Sequence, residues 1–131
     1  MFSGNVIAEW LENGRDMRLE KTVTYTDPMG VVWIAEQGSI INGASIPRIV
    51  WPMIGSPFVG KYRRPSVFHD VYYNLRNRPP AQVDRMFYLA MLEEGVSEEK
   101  ARMMYNAVRA FAPKWDDLGV LIEPPESPFL A

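Results

Sequence analysis

The chain of 131 residues contains no cysteine, which rules out disulfides and thiolate metal sites and leaves the redox compartment open. Histidine occurs once, as His69. No stretch approaches the ~20 consecutive apolar residues that cross a bilayer. Residues 1–15 lack the basic start and apolar run of a signal peptide. Charge of one sign is also scarce: the formal net charge is −2, so bulk attraction to nucleic acid is not expected. What remains, 47% hydrophobic and 23% charged residues, is the composition of an ordinary soluble globular domain.

The pattern of elements predicts an α+β fold in a single domain, residues 1–131. Residues 1–37 read as an antiparallel β meander. Val6, Ala8 and Trp10 alternate before Asn13-Gly14, a strong hairpin signal. A second strand from Met17 to Tyr25 carries Leu19, Val23 and Tyr25 on one face. Asp27-Pro28-Met29-Gly30 is a β-turn sequence, and Val31 to Ala35 a third strand. Residues 38–64 are dense in glycine and proline and predict a structured loop region with a short helix near Ile46 to Met53. A loop region of that length is often functional.

Residues 65–112 predict three helices. Pro65 and Pro80 suit first helical positions, Gly95 a C-terminal cap and Ser97 an N-cap followed by Glu98 and Glu99. Pro113 ends the third helix. Residues 113–131, with Pro124, Pro125 and Pro128, predict an extended tail.

The most informative stretch is Phe68-His69-Asp70-Val71-Tyr72-Tyr73, followed by Val83-Asp84-Arg85-Met86-Phe87. A neutral imidazole can take a proton from water near neutral pH. His69 and Tyr73 lie four residues apart, on one flank of a helix. A helix hairpin bending near Asn77 or Arg78 brings Asp84 within ~5–10 Å of His69 along the axis. A carboxylate there can hold one imidazole nitrogen and leave the other facing a cleft. The same set also reads as a structural polar cluster, with His69 held by Asp84 and Asp70 on the surface or capping a loop. Ser45 has two readings, a nucleophile served by His69 or a cap of the short helix. Gly43-Ala44-Ser45 lacks the Gly-x-Ser-x-Gly elbow, which favours the cap. Arg48, Lys61, Arg63 and Arg64 suggest either a basic surface for anionic headgroups or a solvated face.

His-Asp-x-x-x-Tyr on one helix and Asp-x-x-Phe on the next, over about residues 65–95, resembles the helix pair of secreted and parvoviral phospholipases A2. The resemblance implies that His69 activates a water, Asp84 orients His69 and Tyr73 supports Asp84. It also implies calcium on Asp70, completed by loop carbonyls from around Gly43 or Gly55, and a phospholipid membrane surface as partner.

A wider set, Asn42-Gly43-Ala44-Ser45-Ile46-Pro47-Arg48, Trp51, Ile54-Gly55, His69-Asp70 and Asp84-Arg85-Met86-Phe87, resembles a phage- and prophage-associated family known as domain of unknown function 1353. This implies a phage setting, with synthesis in the host cytoplasm. Two functions follow as expectations: a phospholipase A2-like, calcium-assisted ester hydrolase, or a non-catalytic virion component of the tail or baseplate that contacts other virion proteins.

Overall fold

A computed structural model describes residues 1–122. It is an α+β arrangement: short antiparallel strands come first, and four helices follow. Strand β1 (Ala8–Trp10) pairs with β2 (Met17–Leu19) across the Asn13-Gly14 turn, where Asn13 Oδ1 accepts the backbone N–H groups of Arg15 and Asp16. The other edge of β2 pairs with β5 (Ile40–Ile41). Strands β3 (Val23–Thr26) and β4 (Val32–Ala35) form a separate hairpin. Asp27 closes it, with Oδ1 accepting from Met29 and Val31.

The expected three-stranded meander is therefore two small sheets. The stretch from Met17 to Tyr25 divides because β2 already has neighbours on both edges, so the chain turns away and β3 finds its own partner. Leu19, Val23 and Tyr25 are buried as their alternation requires, while Trp10 on the outer strand is exposed.

Helix α1 (Trp51–Ile54) extends a single 3-10 turn within the glycine- and proline-rich region. Helix α2 (Arg63–Leu75) is the centre of the molecule. Every residue from Pro65 to Tyr73 is buried, because α2 has strands on one side and α3 (Pro80–Glu93) on the other. A helix enclosed all round normally carries apolar residues all round; this one carries Ser66, His69 and Asp70.

Tyr72 ties α2 to the strands: its hydroxyl accepts from the backbone of Ile34 at 2.9 Å, and its ring meets Trp33 edge-on. Arg76, in the left-handed region at φ 52°, ends the helix. Helix α4 (Glu98–Phe111) starts at Ser97, whose Oγ accepts from the backbone of Lys100, and packs on α3.

Beyond Pro113 the chain does not simply extend. Strands β6 (Lys114–Trp115) and β7 (Leu121–Ile122) form a hairpin that turns back onto α2 through Trp115, whose ring packs edge-on against Tyr73 at 4.8 Å. A type of turn closed by Asp116, which accepts from Leu118 and Val120, makes this possible. Pro124, Pro125 and Pro128 lie outside the described residues.

Candidate active site

Strand β5 runs directly into Asn42-Gly43-Ala44-Ser45, and this loop lies over α2. Asp70 holds it there: Oδ2 accepts the backbone N–H of Asn42 at 2.8 Å and Oδ1 that of Ser45 at 3.2 Å. The anchoring places Ser45 Oγ 2.9 Å from His69 Nδ1. On the far side of the ring, His69 Nε2 lies 2.7 Å from Asp84 Oδ1. Ser45, His69 and Asp84 thus form one continuous hydrogen-bonded line. Their side chains come from a loop, from α2 and from α3.

Asp84 is a hub. Its Oδ1 also accepts the Tyr73 hydroxyl at 2.7 Å, and its Oδ2 accepts from Arg109 Nη1 at 2.8 Å and Lys114 Nζ at 3.3 Å. Lys114 donates in addition to Tyr73 Oη at 2.8 Å and to the Val108 carbonyl at 2.6 Å. Tyr73 stacks on the His69 ring at 4.2 Å, and Phe87 packs against it at 4.7 Å.

The electrostatics fix the protons. Burial alone would raise the Asp84 carboxyl. The hydrogen bond and charge interaction with His69, the Tyr73 hydroxyl and the Lys114 ammonium outweigh burial and bring it down to about 2. An ionised carboxylate only accepts, so His69 Nε2 carries a hydrogen and Nδ1 presents a lone pair to the Ser45 hydroxyl.

Burial also pushes the His69 imidazolium down. It outweighs the carboxylates of Asp84 and Asp70, and Lys114 adds in the same direction. The ring is therefore neutral at pH 7, as a general base must be. Tyr73 is raised, by burial first and then by Asp84, and stays protonated. Lys114 is lowered by burial, against the opposing pull of Asp84.

Ser45, Asp70 and Tyr73 line a cavity of about 250 Å³, together with Asn42, Asn74, Arg76, Trp115 and Leu121. His69 itself has no exposed surface. Ser45 is the member of the hydrogen-bonded line that borders the cavity, so the imidazole is reached through its hydroxyl.

The expected His69, Asp84 and Tyr73 set is brought together. The imidazole nitrogen expected to face a cleft is instead bonded to Ser45, so it is the serine that meets the space. Ser45 does not cap the following turn: Pro47 precedes it, with no side-chain capping bond.

Asp70 and the glycines do not compose a calcium site. Calcium takes six to eight oxygens, whereas the groups converging on Asp70 are N–H donors. The Gly43 carbonyl accepts from Ile46, and Gly55, which closes α1 onto Trp51, is not on the cavity wall. Among the described residues no three acidic or histidine side chains cluster as metal ligands would.

The four basic loop residues do not form a free patch. Arg48 stacks on Trp51 and Lys61 donates to the Gly95 carbonyl. Arg63 donates to the Phe58 carbonyl, and Arg64 pairs with Glu94.

Sequence reasoning missed Arg109, Lys114 and the placement of Trp115. The available signal was energetic: a carboxylate buried beside a neutral histidine requires cations, and the basic residue ending α4 and the one after Pro113 are candidates.

No helix among the described residues is long and apolar enough to cross a membrane. The chain is similar to the uncharacterized protein y4jT of Sinorhizobium fredii (strain NBRC 101917 / NGR234). The two are 38% identical over 97 residues, which is 74% of this chain and 29% of that protein. It is also similar to the uncharacterized protein y4iH of the same organism, 38% identical over 91 residues, 70% of this chain and 38% of that protein. The chain thus spans well under half the length of these curated relatives. No solved structure matches. The model of the family described as protein of unknown function (DUF1353) matches residues 17–108, a stretch that carries Ser45, His69, Asp70, Tyr73 and Asp84, and the chain belongs to that family.

Proposed function

We propose that the chain is an ester hydrolase that works by acyl transfer through Ser45, His69 and Asp84. The observation that carries this reading is the line of hydrogen bonds from Ser45 Oγ through both ring nitrogens to Asp84, ending at a cavity. An alcohol becomes a nucleophile when an adjacent base takes its proton and a third group orients that base.

Ser45 Oγ attacks the carbonyl carbon of the ester as its proton passes to His69 Nδ1. The tetrahedral intermediate collapses, the C–O bond to the leaving alkoxide breaks, and the alkoxide takes the proton from Nδ1. A water then attacks the acyl-serine, giving a proton to Nδ1. Collapse releases the acid and returns the proton to Ser45 Oγ. Asp84 stays ionised throughout and balances the transient imidazolium. Arg76, the one cation among the described residues of the cavity wall, is available to the developing oxyanion.

The phospholipase-like version uses the same dyad, with a water in place of the serine hydroxyl. The donor set at Asp70 supports no calcium step.

A second reading, a non-catalytic phage virion component, is favoured by a different observation. His69 is wholly enclosed, as in a structural polar cluster.

The test is hydrolysis of p-nitrophenyl esters and of mixed phospholipid vesicles, with calcium and with chelator, by the native chain and Ser45→Ala. A fluorophosphonate probe and peptide mass mapping accompany it. Chelator-insensitive turnover lost in Ser45→Ala, with an adduct on Ser45, is the expected result. Turnover that survives in Ser45→Ala returns the water-activating mechanism. No turnover and no adduct from folded protein leaves the virion component.

A further inference from the structure

On the hydrolase reading, we infer that the substrate is an ester of a short-chain acid, and that the β6–β7 hairpin is the wall that measures the acyl group. The cavity is lined by two chemically different sets of residues. Asn42, Asn74 and Arg76 give it polar lining, and Pro113, Trp115 and Leu121 give it apolar lining. All three apolar residues belong to the hairpin or the residue that opens it.

This wall is fixed. Trp115 is 4% exposed, its indole N–H donates to the Arg78 carbonyl at 2.8 Å, and its ring meets Tyr73 edge-on. Next to it, Lys114 is anchored to Tyr73, Asp84 and the Val108 carbonyl. Strand β6 cannot move outward without breaking the bonds of Lys114 to Tyr73, Asp84 and the Val108 carbonyl. On this inference the acyl group meets the anchored Trp115 and the half-exposed Leu121.

The space available is small. About 250 Å³ lies below the ~300–1,000 Å³ of drug-sized ligand sites. At ~30 Å³ for each water-sized group, it takes roughly eight such groups. An ester carbon with its two oxygens and an acyl chain of about four to six carbons fills it. The distal part of a long fatty chain would stay in water and gain nothing. The family match ends at residue 108, before the hairpin. The matched stretch thus supplies the serine, histidine and aspartate, and the apolar wall comes from outside it.

The experiment measures kcat/KM for p-nitrophenyl acetate, butyrate, hexanoate, octanoate and palmitate, on the native chain and on Leu121→Ala. Leu121 is half-exposed, so its truncation leaves the fold intact. Burial of each methylene is worth about fourfold. The expected profile rises by about that factor per methylene up to a chain of roughly four to six carbons, then levels or falls. In Leu121→Ala the hexanoate-to-acetate ratio drops several-fold. A profile that climbs through palmitate, or a ratio unchanged in Leu121→Ala, overturns the inference while an adduct on Ser45 leaves the hydrolase reading standing. Absence of both turnover and adduct removes the two together.

Discussion

His69 and Asp84 lie side by side with no exposed surface, Nε2 2.7 Å from Oδ1, the imidazole neutral and the carboxylate ionised. Two cations make that state tolerable, Arg109 and Lys114, whose side chains are 36% and 20% exposed. Asp84→Asn removes the charge both were placed to meet and presents the wrong partner to the imidazole. A buried pair broken on one side loses ~3–5 kcal/mol. Because Arg109 can turn to water, the expected loss is near the lower end, roughly 3 kcal/mol, read from urea denaturation. Hydrolysis is expected to fall by about 10⁴, as when a triad carboxylate is neutralised.

The same pair sets the response to acid. The folded pKa of His69 lies below its ordinary 6.5, so between the two values the unfolded chain binds a proton that the folded chain does not. Stability is then complete above 6.5 and is lost as pH falls through the folded value. Asp84, lowered from 3.8 to about 2, adds a second loss as pH falls below 3.8. The two losses have the same sign, and the one from His69 begins at the higher pH. Thermal unfolding from pH 8 to pH 3 should show a Tm that is flat above 6.5, declines below it and steepens below 3.8. In a folded His69→Gln variant the first decline should be missing.

Lys114 adds to the lowering of His69 through its charge. Lys114→Met keeps most of the side-chain volume and deletes the ammonium, so the His69 pKa is expected to rise. The measurement is direct because the chain holds a single histidine: one imidazole is followed by NMR through a pH titration. A pKa that falls or does not move would show that Lys114 supports Tyr73 and the hairpin without acting on the imidazole.

Where helical spacing carried the information, the site was legible in the sequence. Four residues separate His69 from Tyr73, and a helix hairpin with its bend near residue 77 brings Asp84 to them, which is what α2 and α3 do. Ser45 was less legible because its exposure to His69 comes from no strand-to-helix elbow. It depends on Asp70 gripping the Asn42 and Ser45 amides, a contact across 28 and 25 residues.

The assignment of calcium to Asp70 followed the resemblance of a helix pair; the loop brings the N–H groups of Asn42 and Ser45 to that carboxylate. Lys114 was hidden for a similar reason: a proline-bounded segment reads as an extended tail until a tertiary contact gives its lysine three acceptors. The meander was legible as alternation, but its division into two sheets was not, because pairing of β2 with β5 spans the intervening hairpin.

Gly43 is the point where the loop carrying Ser45 admits no side chain. Its φ is +78°, and a Cβ there would stand 3.1 Å from the Trp51 ring, 3.2 Å from that of Phe58 and 3.4 Å from Pro57. Gly14 has a similar backbone, φ +70°, with nothing within 4 Å. Both carry the left-handed penalty of roughly 1 kcal/mol when replaced by alanine. Only Gly43 adds crowding against two aromatic rings, worth ~1–3 kcal/mol when a packed site is overfilled. Gly43→Ala is therefore expected to destabilise by about 2–4 kcal/mol and Gly14→Ala by about 1 kcal/mol, compared by chemical denaturation. Relief of the crowding in Gly43→Ala must move the loop away from Trp51 and Phe58, and with it Ser45 Oγ relative to His69 Nδ1. The rate of fluorophosphonate labelling at Ser45 should accordingly drop in Gly43→Ala under conditions where it is still folded, and stay at the native value in Gly14→Ala. Equal labelling in the two variants would mean that the placement of Ser45 is held by Asp70 alone.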